Sequence, residues 1–122
     1  MIVVSDTTAI TSPLEIGQCD LLATLYGEVV IPVAVRDELL AAHWSLPEFL
    51  RTRTVRRPAE VERLQFDIDV GEAEAIVLAK ELGADLLVVD EAEGRRVALR
   101  EGVNIIGLLG VLVQGKRNGV TA

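Results

Sequence analysis

The sequence predicts an α/β fold, a three-layer α/β/α sandwich around a central parallel sheet. Short segments that are apolar on both faces alternate with helical patterns along the chain. That alternation is the arrangement of a parallel sheet covered by helices on both sides. Hydrophobic residues make up 50% of the chain but aromatic ones only 3%. The apolar content is therefore mostly Leu, Val, Ile and Ala, which suits buried parallel strands. At 122 residues the chain is expected to form a single domain spanning residues 1–122, large enough for one real core.

The stretch IVVS, from Ile2 to Ser5, reads as the first strand. Thr7 to about Ile16 reads as a short helix, broken near Pro13, since proline suits a first-turn position. CDLLATLYG continues as a second short helix, with Asp20 near its start and Gly27 at its stop. EVVI is the second strand. Pro32 then opens a helix through about Ala42, because proline is favoured at the first helical position. His43 to Pro58 is the least regular stretch, and TRTVR within it stays open between a short strand and a loop. PAEVERLQF reads as a short helix. FDIDV is ambiguous, with Asp67 and Asp69 flanking a loop before Gly71. Gly71 to Leu82 is strongly patterned as a helix and ends at Gly83. DLLVV is a strand, EAEGRRVALRE a helix ended by Gly102, VNIIG a strand, and LLGVLVQGKRNG a closing helix.

The formal charge of −7 does not suit a protein that coats nucleic acid, but the cations are unevenly spread. Arg51, Arg53, Arg56 and Arg57 lie within RTRTVRR. Arg95, Arg96 and Arg100 form a second group, and Lys116 and Arg117 a third. Arginine greatly outnumbers lysine, which suits bidentate contact with phosphates or carboxylates. For any one group alone, a solvated surface with local ion pairs is the plainer explanation. Cys19 has no second cysteine to pair with, which fits a reducing, cytoplasmic compartment. With His43 the one histidine, a zinc site is not expected. Neither a secretory signal nor a membrane span is expected.

Parallel sheets place their sites at the carboxyl ends of the strands. Asp6 follows IVVS, and Asp90 follows LLVV. Two helices add acids by phase. After Pro32, Val35, Leu39 and Ala42 form an apolar stripe, and Glu38 lies on it. In the helix from Gly71, Ala75, Ile76, Ala79 and Gly83 share one face with Glu72. Glu74 and Glu81 fall together on roughly the opposite side, which points Glu72 inward and Glu74 outward.

Each acid also has a local explanation. Asp6 and Asp90 suit helix N-caps, and Glu93 completes a capping box after Asp90. Glu38 has a route to solvent at its helix edge, and Glu72 is favoured by the positive end of its helix. Together, however, two strand-end acids and two inward helix acids would have to converge by accident. Carboxylates sharing a pocket raise one another's pKa, and they stay ionised only beside a cation. An all-oxygen set is what Mg²⁺ or Mn²⁺ prefers. Such an ion polarises a phosphodiester and activates a bound water, so the residues alone point to a metal-dependent phosphodiesterase. His43 is too far along the chain to offer a general base. No Ser/His/Asp or Cys/His arrangement and no Gly-rich phosphate loop is apparent.

Taken in order, VVSDTT, IPVAVRDEL, GEAEAIVLAKELGADLLVVD and the ending IIGLLGVL resemble the PIN domain. The similarity is to its compact prokaryotic branch, often described as predicted nucleic-acid-binding and related to VapC-like toxins. It spans nearly the whole chain and rests on the order of the motifs rather than on any one of them. The resemblance implies an α/β/α sandwich and an Mg²⁺- or Mn²⁺-dependent ribonuclease site. Asp6, Glu38, Glu72 and Asp90 take its acidic places, and Glu93 takes a weaker extra one. It also implies RNA as substrate, a small antitoxin protein as partner, and a homodimer. Arg95 and Arg96, just past Asp90, are candidate contacts to the RNA backbone. The chain departs from the pattern in two ways. Val88 and Val89 stand where many members carry Ser or Thr, and the third acid is Glu where it is often Asp.

Two functions follow as expectations. One is an endoribonuclease that serves as the toxin of a toxin–antitoxin pair. The other is a PIN-like module with a weak or inactive metal site that binds nucleic acid or protein. SDTT also suggests a phosphatase of the haloacid-dehalogenase type. That chemistry wants a second acid two residues after the first, and Thr8 stands there.

Overall fold

Val3 and Val4 are both fully buried, although successive strand residues point to opposite faces. The first strand must therefore be covered on both sides. The computed structural model shows how, describing residues 1–15, 19–43, 45–117 and 119; the side chains of residues 12–15, 19 and 20 lie outside the description. The chain runs β1 (Val3–Ser5), α1 (Thr7–Glu15), α2 (Cys19–Tyr26), β2 (Val29–Pro32), α3 (Val33–Ala42) and β3 (Leu50–Arg53). It continues with α4 (Pro58–Leu64), α5 (Val70–Leu82), β4 (Leu86–Val88), α6 (Ala92–Arg100), β5 (Ile105–Ile106) and α7 (Leu108–Arg117). The strands form one parallel sheet in the order β3-β2-β1-β4-β5.

Each face of the sheet has its own core. Val4, Leu87 and Val89 meet Val61 and Leu64 of α4, the buried side of α5, and Val97 and Ala98 of α6. On the other face, Val3, Val29, Ile31 and Val88 meet Ile10 of α1, Leu22 of α2, Val35 and Leu39 of α3, and Val111 of α7. The expected three-layer α/β/α sandwich is the observed fold.

Local details differ from expectation. The backbone of α1 runs through Pro13 to Glu15 without a break; the expected end of this helix at Ile16 lies outside the described residues. Proline there removes one amide donor near the end of the helix. Pro32 closes β2 and occupies the N-cap position of α3, instead of opening the helix. As the last strand residue, its missing N–H costs the ladder little. Of TRTVR, left open between strand and loop, Thr52 and Arg53 end an edge strand, Leu50–Arg53, paired to β2, and Thr54 to Arg56 lie outside it. Its exposed arginines are compatible with an edge, where charge discourages further pairing.

The helix α5 departs most from its phase reading. It is buried on nearly every side, packing against α3, α4 and α6 as well as the sheet. Glu74 is therefore not outward. It is half-buried, and its Oε1 accepts from the Ala34 amide at 3.0 Å, satisfying a free N–H in the first turn of α3. Glu81 accepts from the amides of Arg56 and Arg57 and holds the start of α4.

Away from the carboxyl edge, Glu101 forms a hub. Its side chain is only 9% exposed and faces Arg63 at 2.8 Å, Lys80 at 3.0 Å and Arg100 at 3.6 Å. Hydrogen bonds from Arg63 and Lys80 hold its pKa down at about 2, against the opposing effect of burial. A lowered carboxylate pKa contributes stability that is present above the ordinary value and lost as pH falls through the folded value. Glu101→Gln is expected to cost on the order of 2 kcal/mol at neutral pH in urea denaturation, and much less near pH 2.

Candidate functional site

The strand order brings the carboxyl ends of β1 and β4 side by side, with Ser5 opposite Val88. Each is followed closely by an acid. The Asp6 amide donates to the Val88 carbonyl at 3.2 Å, which continues the ladder and fixes where the side chain leaves it. Asp6 is 1% exposed. Its Oδ1 accepts from the Ala9 amide at 3.0 Å and caps α1. Its Oδ2 is buried with no hydrogen-bond partner among the described residues. Burial lifts the Asp6 pKa to about 7; the Ala9 amide opposes this, while Glu91, Asp90 and Asp69 add to it. Capping and site-facing roles thus fall to different oxygens of one carboxylate.

Glu72 lies in the first turn of α5 and is 8% exposed. Its backbone amide donates at 2.8 Å to Asp69 Oδ1, the N-cap of the helix. Glu72 Oε2, like Asp6 Oδ2, is buried without a partner among the described residues. The carboxylate lies so close to Gly94 of α6 that an added Cβ would overlap Oε2 and come within 3.1 Å of Val89. Burial is again the largest cause of a pKa raised to about 8, reinforced by Asp69, Glu91 and Asp6.

Glu38 reaches the same region from α3, although it is exposed and lies at the border of the buried stripe formed by Val35 and Leu39. A Cβ on Gly71 would fall 2.5 Å from Glu38 Oε1 and 3.3 Å from Thr7 Oγ1. Glycine at this turn of α5 is what lets the carboxylate lie against the helix. Burial raises the Glu38 pKa; the Thr7 hydroxyl opposes this, and Asp69 and Glu91 add repulsion. The Thr7 hydroxyl completes no hydrogen bond of good geometry among the described residues.

Asp90 is half-buried. It does not cap α6, whose N-cap position is Glu91. Its Oδ1 instead accepts from the Leu108 amide at 3.1 Å, at the start of α7. This bond ties the site to the last helix and fixes one Asp90 oxygen.

Glu93 stands apart from this group. It is exposed and paired with Arg96 at 2.9 Å, which lowers its pKa. Only two positions separate it from Glu91, a spacing at which the two side chains face different ways. Glu91 accepts from Thr8 Oγ1 at 3.0 Å and raises the pKa of Asp6, Glu38 and Glu72. Of the two, Glu91 is the one whose charge reaches the other acids, while Glu93 faces Arg96. Asp69 was also missed as a neighbour of the site. The usable signals were weak: Glu91 directly follows Asp90, and Asp69 stands three residues before Glu72, at N-cap spacing. Glu91→Gln is expected to weaken divalent-metal binding severalfold, and Glu93→Gln to leave it unchanged within twofold, by calorimetric titration.

The two candidate phosphate contacts also separate. Arg96 is engaged by Glu93. Arg95 is exposed, and its guanidinium makes no ion pair or hydrogen bond among the described residues. Its Nη1 would lie 3.1 Å, and Asp90 Oδ1 3.5 Å, from a Cβ added at Gly107. A free guanidinium thus sits beside the acidic cluster.

Do these residues fit a divalent cation? The donors are all oxygen, the class that Mg²⁺ and Mn²⁺ take. Two of them, Asp6 Oδ2 and Glu72 Oε2, are buried with nothing to bond, a costly state unless a proton or a cation fills it. Among the described residues, no three carboxylate, imidazole or thiolate groups converge at direct-ligand spacing. Mutual repulsion holds ionised carboxylates apart, and Mg²⁺ commonly keeps several of its waters. The donor chemistry therefore fits a hydrated ion.

The all-parallel α/β sandwich thus carries a cluster of acids on the carboxyl edge of its central strands. A family model described as a PIN domain matches residues 2–122, and the chain belongs to the PIN domain family. That family is one of nucleases, and its members generally use divalent metals. No curated protein matches the chain. Among the described residues, no helix is long and apolar enough to cross a membrane.

Proposed function

We propose that this chain is an Mg²⁺- or Mn²⁺-dependent endoribonuclease, acting in the cytoplasm as the toxin of a toxin–antitoxin pair. The observation that carries the nuclease reading is the buried pair Asp6 and Glu72. Each has one buried carboxylate oxygen without a partner among the described residues, and each is raised toward neutrality by burial and by neighbouring acids, Asp69 and Glu91 among them. Such a pair is poised to exchange its protons for a cation.

Asp6, Glu72, Asp90 and Glu38 would hold the ion, directly or through water, with Glu91 adding charge. When bound, the ion supplies a polarised phosphodiester and a water of lowered pKa. The protein's own contribution is orientation. The Ala9 amide fixes one Asp6 oxygen, the Asp69 cap fixes the turn that carries Glu72, and the Leu108 amide fixes Asp90. Arg95, free of carboxylate partners, is placed to hold a phosphate oxygen of the bound strand. A small antitoxin and a homodimer belong to the same reading.

The second reading is a module that binds RNA or protein without cutting. It is favoured by one observation: Asp90 Oδ1 is already committed to Leu108. A labelled RNA incubated with Mn²⁺ separates the two. The nuclease reading expects cleavage that a chelator stops and Asp6→Asn removes. Cleavage that survives both, or no cleavage of any RNA tested, leaves the binding module.

A further inference from the structure

We infer that Arg53, Arg56 and Arg57 form the track along which the RNA backbone leaves the acidic site. The inference rests on the nuclease reading for the identity of its ligand. It begins with register. Val4 pairs with Val30, so Asp6, two residues on, lines up with Pro32. Pro32 in turn pairs with Arg53. Asp6, Pro32 and Arg53 therefore occupy one row across the carboxyl edge of the sheet. At the usual strand spacing, Arg53 stands about 10 Å from Asp6 along that row. Arg56 and Arg57 follow at the turn into α4.

Charge accounting sets these three apart. Arg36, Arg51, Arg63, Arg96 and Arg100 each face a carboxylate. Arg53, Arg56 and Arg57 are exposed, and their guanidinium groups have no partner among the described residues. In a chain of net charge −7, three adjacent unmatched arginines are not expected from surface ion pairing alone. Glu81 beside this turn is spent on the backbone amides of Arg56 and Arg57 at 2.9–3.0 Å, and Glu60 just past it is paired with Arg63 at 2.7 Å. The turn is held by its main chain, and its side chains are left free.

A groove of about 260 Å³ adjoins this turn, lined by Thr54, Val55 and Pro58 beside the arginines, by Glu62 of α4, and by Val70 and Glu74 of α5. Val70 lies between Asp69 and Gly71, the residues that border Glu72 and Glu38. With Arg95 on the β4 side, free cations flank the acids on both sides along the sheet edge. A polyanion is the ligand such a charge pattern complements. Single-stranded RNA suits it because a flexible backbone can follow a track around an acidic centre.

The test measures binding apart from cleavage. A labelled single-stranded RNA is titrated by fluorescence anisotropy with the full chain carrying Asp6→Asn. Adding Arg53→Gln, Arg56→Gln and Arg57→Gln together is expected to weaken binding about ten- to hundredfold. It should also reduce the slope of log affinity against log salt by about 2, since each contact to a single strand contributes about 0.7. The amides held by Glu81 remain, so the fold is retained. Replacing the same three by lysine is expected to restore most of the affinity. Arg51→Gln, which removes a guanidinium already paired with Glu28, is the control and should change neither quantity. Unchanged binding in the glutamine variant, as expected if the arginines serve an acidic protein partner, overturns the inference. An equal loss in the control does so too. A wild-type protein that binds through these arginines but cuts no RNA fails the nuclease reading and leaves this one standing.

Discussion

Asp6→Asn is expected to remove metal-dependent RNA cleavage, by about 10²–10³-fold or more, while making the metal-free protein more stable above neutral pH. On the proposed function, the rate loss follows from deleting a charge that would hold the ion, since the ion's stabilisation of developing charge is worth several kcal/mol. The gain in stability follows from linkage. In the unfolded chain Asp6 loses its proton near its ordinary 3.8; in the folded protein it keeps the proton up to about 7. A raised carboxylate pKa contributes stability that is fully present below the unfolded value and is lost as pH rises through the folded one. Glu72 acts in the same direction, from 4.5 up to about 8. Metal-free wild type should therefore be less stable at about pH 8 than at about pH 5.

Asparagine caps a helix as well as aspartate does, so the bond to Ala9 is kept and only the charge is removed. At about pH 8 the metal-free variant should exceed wild type by on the order of a few kcal/mol, and the gap should narrow as pH falls, closing only near the unfolded value of 3.8. Mn²⁺ should raise the Tm of wild type at about pH 8, have a small effect at about pH 5, and leave the variant unmoved. A variant less stable than wild type at about pH 8 would show that Asp6 is structural.

Gly94→Ala is expected to separate activity from stability. Gly94 lies in the first turn of α6, where alanine gains up to roughly 1 kcal/mol over glycine, the helix-interior value. Its methyl group, however, would occupy the space of Glu72 Oε2 and crowd Val89. The end of a glutamate side chain can rotate away at small cost, so net stability should stay within about 1 kcal/mol of wild type. Glu72 then no longer turns its free oxygen into the site. Metal affinity, read by calorimetry, should fall about tenfold or more, with cleavage falling in step. Unchanged affinity would mean that Glu72 takes no part in holding the ion. A large loss of stability would assign the contact to packing instead.

Asp6 and Asp90 were legible in the sequence because short apolar strands end on them, and a parallel sheet gathers its strand ends on one edge. Glu72 was legible by helical phase. The same phase reading misplaced Glu74, because α5 packs on nearly all sides and has no solvent face for phase to point to. For Glu38, phase was half right: its stem is at the border of the buried stripe, and Gly71 provides the space its carboxylate uses. Glu91 and Asp69 escaped because both sit in the turns that open helices, where direction depends on cap geometry. The edge strand Leu50–Arg53 stayed ambiguous because an edge needs no apolar pattern, and its arginines read equally well as a loop.

The most direct measurement is anomalous diffraction from a crystal soaked in Mn²⁺ at about pH 8. The expected result is one ion among Asp6, Glu72 and Asp90, bound through a mixture of carboxylate oxygens and water, and absent from an Asp6→Asn crystal treated alike. A site that stays free of Mn²⁺, or an ion held elsewhere and indifferent to Asp6, would contradict the claim that these carboxylates act together around one cation.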